Sequence, residues 1–299
     1  MVVKVGMDIG KLEVLVKAAE LGNLTRAAEA LGYTQSAVSR IIADLEQEWG
    51  FPILIRGRGG VSPTAAGREL LPAVQAVCNA QRALEQEVAE IHGLARGTIR
   101  IGAFTSIAAQ WLPPIMKTFL RSYPGIRFEI LTHIEYREIE EWISAGTVDC
   151  GFAALPTTLP LDTVFLRRDA ELAVLPPDHP LAGEERYPVE RFAEDPYIKM
   201  EDNRDREVLR IFEALGVRPN LCYNVNDDYS VMSMVENGLG VSVLPELILR
   251  RNPYAIVTKP LDPPQYRYIG LAVRRLDSLS PLTARFVAHV QAWVAGDAI

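Results

Sequence analysis

Residues 24–50 read LTRAAEALGYTQSAVSRIIADLEQEWG, and this stretch decides the fold of the N-terminal part of the chain. The pair Ala27-Ala28 is small enough to let one helix cross another closely. Gly32 permits a tight turn, and Thr34 is a good N-cap for a helix that runs to about Trp49. The pattern therefore predicts two helices joined by a short turn.

An earlier helix precedes this pair. Apolar residues recur at helical spacing before Gly22, which is a typical helix end. They are Leu12, Leu15, Val16 and Ala19. The chain thus begins with three predicted helices.

The third helix has two different faces. One face is apolar and suits a small core; it carries Val38, Ile41, Ile42, Leu45 and Trp49. The opposite edge offers donors and acceptors suited to base edges and phosphates in its first two turns. We predict DNA contacts there for Thr34, Gln35, Ser36, Ser39 and Arg40. The alternative is a small helical bundle with a solvated face.

Residues 51–67, FPILIRGRGGVSPTAAG, predict a β-hairpin that follows the third helix. Its glycine-rich tip is expected to carry Arg56 and Arg58. Such a wing fits the minor groove or the phosphates beside it. A basic loop without a partner is the alternative.

Taken together, these motifs resemble the DNA-binding domain of the LysR-type transcriptional regulators. The matching residues are Ala27-Ala28, Leu31, Gln35, Val38, Ser39, Ile42, Leu45-Glu46, Thr64, Ala66 and Gly67. The sequence departs from the family pattern at Thr34, at Pro63 and in the position of Arg58. The resemblance implies a winged helix-turn-helix, a dimerisation helix and a two-lobed α/β effector domain like the periplasmic binding proteins.

Length, composition and charge fit a multidomain soluble protein. The 299 residues are 48% hydrophobic, and the formal net charge is −7. Residues 1–68 hold eight Lys/Arg and seven Asp/Glu, a net charge of +1, so the remainder carries −8. DNA binding must therefore rest on the arrangement of residues and not on bulk charge. No apolar run approaches the roughly 20 residues of a membrane helix, and we expect a cytoplasmic protein.

Catalysis and metal binding are not expected. The three cysteines, Cys78, Cys150 and Cys222, are far apart and are predicted to be apolar packing residues. The four histidines show no ligand spacing, so neither a metal nor a cofactor is predicted. Cys150 follows Asp149 but lies in an apolar strand without a histidine nearby, so the chain is not expected to be an enzyme.

A long helix is predicted from Thr64 to about His92, interrupted only by Pro72. Apolar residues on it repeat at heptad spacing, which is typical of a coiled coil between two copies. The predicted dimerisation residues are Leu70, Val74, Val77, Leu84, Val88 and Ile91. The alternative is that the stripe packs on the chain's own domain. In the resembling family this helix is the dimer interface, and a homodimer or homotetramer is expected.

The remaining sequence predicts strands alternating with helices, which indicates a parallel sheet flanked by helices. The predicted strands are 98–104, 128–131, 148–153, 172–174, 197–200, 223–225, 241–244 and 268–273. Gly238-x-Gly240 followed by Leu244-Pro245 also resembles the LysR effector domain.

Ligands of such folds lie between the lobes, at the carboxyl ends of strands. The candidate effector contacts are Thr105, Ser106, His133, Glu135, Tyr136, Glu201, Asn203, Arg204, Asn226 and Asp228. Each of them could instead be an N-cap, a turn residue or a surface charge. Arg204 could hold a carboxylate or only neutralise its acidic neighbours. Because several of the candidate contacts are acidic, a neutral, cationic or mixed-charge effector also stays open.

The predicted domain boundaries follow from these patterns. They are 1–67 for the winged helix-turn-helix, 68–97 for the linker helix and hinge, and 98–299 for the effector domain, with lobe I at about 98–168 and 266–299 and lobe II at about 169–265. The predicted function is a ligand-responsive regulator that binds double-stranded DNA and a small-molecule effector, without a membrane partner. The alternative is a cytoplasmic solute-binding protein without regulatory DNA binding.

Overall fold

A computed structural model describes residues 8–57, 59–91, 96–200 and 205–296 of the chain. The chain divides into two compact units. The N-terminal unit comprises Met1–Leu94 with Ala145–Thr147, and the C-terminal unit comprises Ala95–Ser144 with Val148–Ile299. In the described ranges, no helix has the length and apolar character needed to cross a bilayer.

The N-terminal unit contains four helices and one hairpin in its described part. They are α1 (Ile9–Leu21), α2 (Leu24–Leu31), α3 (Gln35–Trp49), β1 (Leu54–Gly57), β2 (Gly60–Pro63) and α4 (Ala65–Ile91). The three predicted helices are all present, and the predicted hairpin follows them.

Side-chain caps set the starts of the helices. The Asn23 side chain accepts hydrogen bonds from the N–H groups of Thr25 and Arg26 at the start of α2. Thr34 accepts one from the Ala37 N–H at the start of α3. These bonds satisfy N–H groups that have no partner within the helix.

The core of the N-terminal unit joins all four helices. Its buried side chains include Leu15 of α1, Ala27 of α2 and Val38 of α3. Val74 and Cys78 of α4 belong to the same cluster. The first turns of the long helix are therefore part of this unit.

The C-terminal unit alternates strands and helices. Its strands are β3 (Arg96–Ala103), β4 (Gly125–Thr132), β5 (Cys150–Leu155), β6 (Asp162–Leu175), β7 (Tyr187–Pro188), β8 (Pro196–Met200), β9 (Asn220–Val225), β10 (Ser242–Pro245) and β11 (Val257–Val273). Its α-helices are α5 (Thr105–Gln110), α6 (Leu112–Ser122), α7 (Tyr136–Ala145), α8 (Asp205–Leu215), α9 (Asp228–Glu236), α10 (Glu246–Leu249) and α11 (Pro281–Gly296).

One mixed sheet has the strand order β10-β6-β11-β5-β3-β4, with β7 beside β11. Strands β3, β4 and β5 are parallel, whereas β11 runs antiparallel to β5 and β6. A second sheet pairs β8 and β9 in parallel. Separate apolar cores cover the β3–β5 region and the β8 region. The predicted α/β class is confirmed, but the predicted parallel sheet holds only for β3, β4 and β5, because β11 returns antiparallel between β5 and β6.

The two long strands β6 and β11 differ from the prediction. The sequence predicts only residues 172–174 and 268–273 as strand, whereas the structure has Asp162–Leu175 and Val257–Val273. Charged residues and prolines interrupt the apolar pattern over the missing parts. Over these parts β6 and β11 pair with each other, and this pairing satisfies the backbone hydrogen-bonding groups although the local sequence pattern does not indicate a strand.

Candidate functional site

The first two turns of α3 present a polar edge. Gln35, Ser36 and Arg40 are exposed, and Ser39 is half-buried. Thr34 precedes them and caps the helix. Its hydroxyl oxygen lies 3.1 Å from the hydroxyl oxygen of Ser36. The structure thus brings together all five of the residues predicted to contact DNA on this helix.

The opposite face of α3 fixes the direction of this edge. Val38, Ile42 and Leu45 are almost completely buried in the core of the N-terminal unit. Because these side chains hold one face of the helix inward, the polar edge is held outward. This arrangement suits a helix that enters the major groove of DNA.

Arg56 lies in a different place from the one predicted. The sequence places it on the glycine-rich tip, but the structure places it within strand β1. Its Nη1 donates a hydrogen bond to the Ser39 Oγ at 3.0 Å. Because β1 extends further along the chain than predicted, Arg56 lies on the strand, and its side chain contacts α3. Arg58, the second predicted wing residue, lies outside the described residues.

Glu46 joins the wing to α3, a contact that the sequence analysis does not predict. Its Oε1 accepts hydrogen bonds from the N–H groups of Ile53 and Leu54, at 2.7 and 3.0 Å. The signal was present in the Leu45-Glu46 pair of the family motif, but a single acidic residue on a helix does not indicate its partner.

Thr64 and Gly67 explain the Thr-x-Ala-Gly pattern. The Thr64 hydroxyl accepts a hydrogen bond from the Gly67 N–H and donates one to the Pro52 carbonyl. A Cβ at Gly67 would lie 2.2 Å from the Ile53 carbonyl oxygen, so a side chain there would force the backbone apart. The pattern thus joins the start of α4 to the wing.

The predicted dimerisation stripe on α4 divides into two parts. Val74 is buried in the core of the N-terminal unit, and Leu70 and Val77 pack against that core. For these three residues the structure supports the alternative, because they pack in one apolar cluster with Leu12 and Leu15 of α1. Leu84 and Val88 are 56% and 46% exposed, so they are apolar residues facing solvent in a single chain. The Ile91 side chain lies outside the described residues.

A buried ionic cluster lies in the C-terminal unit. Arg267 of β11 faces Asp169 of β6, and its Nε and Nη2 donate to the Asp169 Oδ2 at 2.9 and 2.6 Å. Its Nη1 donates to the Tyr136 hydroxyl at 2.7 Å, and its Nη2 also donates to the Ser106 Oγ at 2.9 Å. Two predicted effector contacts, Ser106 and Tyr136, are thus held by one guanidinium.

Arg267 stays charged although it is completely buried. Burial alone lowers the pKa of a guanidinium, but Tyr136, Asp169 and Glu171 outweigh this effect and raise the pKa of Arg267 above its usual value. The Phe104 ring lies 5.0 Å from the guanidinium carbon and adds a cation–π contact. The cluster is therefore an ion pair with several hydrogen-bonded partners and not an open anion receptor.

The other predicted effector contacts have more local surroundings. The His133 Nδ1 accepts a hydrogen bond from the Glu135 N–H, which closes the loop after β4. Thr105 is half-buried beside Ser106, Asn226 is exposed, and Asp228 is buried at the start of α9. Glu201, Asn203 and Arg204 lie outside the described residues.

Arg267 and Asp169 were missed by the sequence analysis. A weak signal exists for Arg267, because it has the same strand parity as the buried residues Ile269 and Leu271. A charged residue at an inward position needs a partner. The identity of that partner is not visible locally, because Asp169 lies 98 residues away.

A cavity of about 400 Å³ lies where β11 bulges away from β6. Its lining includes Glu171, Thr258, Gln265 and Tyr266. None of the described effector contacts predicted from the sequence lines it. The Ser106 and Tyr136 hydroxyls are therefore not part of its lining.

Cys78 and Cys150 are both buried and unsuited to nucleophilic chemistry. Burial raises the pKa of the Cys150 thiol far above its usual value, and burial with a contribution from Glu13 raises that of Cys78 to about 11. A nucleophilic thiol needs a lowered pKa instead. The prediction that all three are packing residues is wrong for Cys222, because it lies on β9 and is exposed. Among the described residues, no cluster of histidine, cysteine and carboxylate side chains could hold a metal ion.

Comparison with known families gives two matches that together cover nearly the whole chain. Residues 9–68 match the "Bacterial regulatory helix-turn-helix protein, lysR family". Residues 92–295 match the "LysR substrate binding domain". These two ranges contain the polar edge of α3 and the buried Arg267 cluster, respectively.

Individual proteins show the same likeness. The chain is 31% identical over 284 residues to the uncharacterized HTH-type transcriptional regulator YvbU of Bacillus subtilis (strain 168), covering 94% of this chain and 97% of that one. The fold resembles a full-length OxyR variant from Pseudomonas aeruginosa, with a TM-score of 0.72 at 21% identity and coverage of 97% and 98%. It also resembles full-length CbnR in complex with its target DNA, with a TM-score of 0.65 at 20% identity and coverage of 96% and 99%.

Proposed function

This chain belongs to the LysR family of transcriptional regulators, and from that premise we propose which parts of it contact DNA, pair two copies and bind the effector. It is a DNA-binding regulator with an N-terminal helix-turn-helix and a C-terminal effector-binding domain. We propose that α3 reads the major groove, that α4 pairs with a second copy, and that the Ser106 and Tyr136 region holds the effector.

The observation that carries the DNA-binding proposal is the two-faced helix α3. Gln35 and Arg40 are exposed in the first two turns of the helix, whereas Val38 and Ile42 are buried. Glutamine can pair with adenine and arginine with guanine, so these two side chains are suited to base edges. Thr34 and Ser36 lie at the same helix start and are suited to phosphate contacts.

Pairing through α4 is supported by the exposed part of the stripe. Leu84 and Val88 lie four residues apart on one side of the helix, beyond the part that packs in the N-terminal unit. Two copies joined there bury both side chains and present two recognition helices to two half-sites. We propose a homodimer, with a homotetramer as a further assembly.

The effector site is proposed around the hydroxyls that Arg267 holds. Ser106 is the second residue of α5, and Tyr136 is the first residue of α7. The charge of Arg267 is already balanced by Asp169, so its proposed role is to orient the two hydroxyls through the hydrogen bonds that it donates to them. The predicted contacts Thr105, His133, Glu135, Asn226 and Asp228 remain proposals, as do Glu201, Asn203 and Arg204.

A DNA-binding regulator acts on the chromosome, so we propose a cytoplasmic location. We propose no catalytic role. DNase footprinting of the full chain on the DNA upstream of its own gene tests DNA binding. We expect protection of two half-sites separated by about one helical turn or a multiple of it. A solute-binding protein would leave the DNA unprotected.

Effector binding is tested separately on the same full chain. Thermal unfolding is measured against a panel of small metabolites, and a true effector raises the midpoint in a concentration-dependent way. The footprint is then repeated with the metabolite that binds. A change in the protected region links the two activities.

A further inference from the structure

Strand β1 is tied to α3 by side chains at two points. Near the C-terminal end of the helix, Glu46 accepts the N–H groups of Ile53 and Leu54. Two turns earlier on the helix, Ser39 accepts the hydrogen bond from Arg56 at 3.0 Å. The strand therefore runs along α3 towards the polar edge, and it carries the Arg56 guanidinium to that edge.

The other strand of the hairpin, β2, packs against Gly22 at the end of α1. Val61 pairs with Arg56 across the hairpin, and the Val61 N–H donates to the Gly22 carbonyl at 2.8 Å. Gly60 packs so closely on Gly22 that a Cβ would lie 2.1 Å from the Gly22 oxygen. Arg56 is thus held on a strand with anchors on both sides, unlike a residue at a hairpin tip.

The chemistry of the Ser39 and Arg56 pair suits a phosphate. A guanidinium has five N–H donors, and the bond to Ser39 uses one of them. Because the Ser39 oxygen accepts from Arg56, its own proton is available to a further acceptor. A phosphate placed beside both side chains can accept from the guanidinium and from the hydroxyl together.

We propose that Ser39 and Arg56 form one phosphate-binding unit that joins the recognition helix to the wing and sets the register of α3 in the groove. This inference rests on the proposed function, because it assumes that α3 contacts DNA. It makes Ser39 a positioning residue and not a base-reading one. Phosphate contacts fix orientation, whereas base contacts specify sequence.

A double-mutant cycle tests the unit on the full-length protein. Ser39→Ala, Arg56→Ala and the double variant are titrated over a range of salt with two duplexes. One duplex carries the DNA upstream of the gene, and the other has mixed sequence of the same length. Lys17→Ala is the control, because it removes one positive charge from α1, where Lys17 pairs with Glu20.

We expect Arg56→Ala to weaken binding to both duplexes by about tenfold and to lower the salt slope by about one. Adding Ser39→Ala to that variant should change little, because the unit is already broken. Arg56→Lys keeps the charge but loses the planar fork, so it should recover the salt slope and only part of the affinity. The control should leave both quantities near wild type.

Two results would overturn the proposal while DNA binding itself stands. One is that the two single losses add in the double variant. The other is that Ser39→Ala weakens binding only to the upstream duplex and leaves the salt slope unchanged, which would make Ser39 a base contact. Failure of the wild-type protein to bind either duplex at low salt would instead remove the proposed function together with this inference.

Discussion

Arg267 on β11 and Asp169 on β6 lie directly opposite each other in the sheet, and the guanidinium donates to one carboxylate oxygen at 2.9 and 2.6 Å. The other Asp169 oxygen accepts a hydrogen bond from the Leu247 N–H at the start of α10. Through Ser106 and Tyr136, the same pair also reaches α5 and α7. One ion pair therefore joins two strands of the sheet to α10, α5 and α7.

Arg267→Met should destabilise the C-terminal unit strongly. The change leaves the Asp169 carboxylate buried without its counter-ion, which costs about 3–5 kcal/mol. Urea unfolding of the full chain, followed by circular dichroism, measures the loss. Arg275→Met is the control, because Arg275 pairs with Asp277 on the surface and both are largely exposed. Similar losses for the two variants would contradict a buried role for Arg267.

The same experiment can separate the cost of the unpaired Asp169 carboxylate from the cost of lost packing. Asp169→Leu combined with Arg267→Met removes both charges and should recover much of the stability lost in the single variant. A double variant less stable than Arg267→Met would mean that Asp169 contributes mainly through its bond to the Leu247 N–H.

Tyr136→Phe should lower both stability and effector response. The change removes the hydroxyl that accepts a hydrogen bond from the buried Arg267 Nη1. The loss of this bond should lower the free energy of unfolding by about 1–3 kcal/mol. The thermal shift caused by the effector found in the metabolite panel should also decrease. Tyr229→Phe serves as the matched control, since Tyr229 is 42% exposed. A full thermal shift in Tyr136→Phe would place the effector elsewhere.

Arg40→Ala, and to a smaller degree Gln35→Ala, should weaken specific DNA binding. Each loss is expected to be about 1–3 kcal/mol if the side chain meets a base edge. Both residues are exposed, so folding should be intact. Gel-shift titration on the footprinted DNA measures the change. Wild-type affinity in both variants would refute the assignment of α3 as the recognition helix.

Leu84→Asp should prevent dimer formation. In a paired helix it would bury an unpaired charge on each copy, whereas in a single chain Leu84 is exposed and the unit should still fold. Light scattering measures the mass, and DNA affinity should fall with it. Ala76→Asp adds the same charge to an exposed position on another side of α4 and should remain dimeric. A dimeric Leu84→Asp variant would show that the exposed stripe is not the interface.

The three cysteines should react with iodoacetamide at different rates. Cys222 is exposed, whereas Cys78 and Cys150 are buried. At pH 8 the Cys78 thiol should be almost wholly protonated, because its pKa is raised to about 11, and Cys150 is shifted in the same direction. Mass spectrometry of the native protein should find Cys222 modified first. Equal modification of all three before unfolding would contradict the buried positions.

The N-terminal helices could be predicted from the sequence because their signals are local. Asn23 and Thr34 cap helices through bonds to residues two or three positions later. The polar and apolar faces of α3 follow from helical spacing alone. The same holds for the α/β class of the C-terminal unit, where strand and helix patterns alternate.

Contacts between distant positions required the tertiary structure. Arg56 is 17 residues from Ser39, and Arg267 is 98 residues from Asp169. The Arg267 contact depends on the register between β6 and β11, and the Arg56 contact depends on where β1 lies beside α3; no local pattern encodes either arrangement. The sequence by itself therefore determined the helix-turn-helix, the fold class and the family. Only the folded chain decided which distant side chains meet, because burial and pairing depend on how helices and strands pack together.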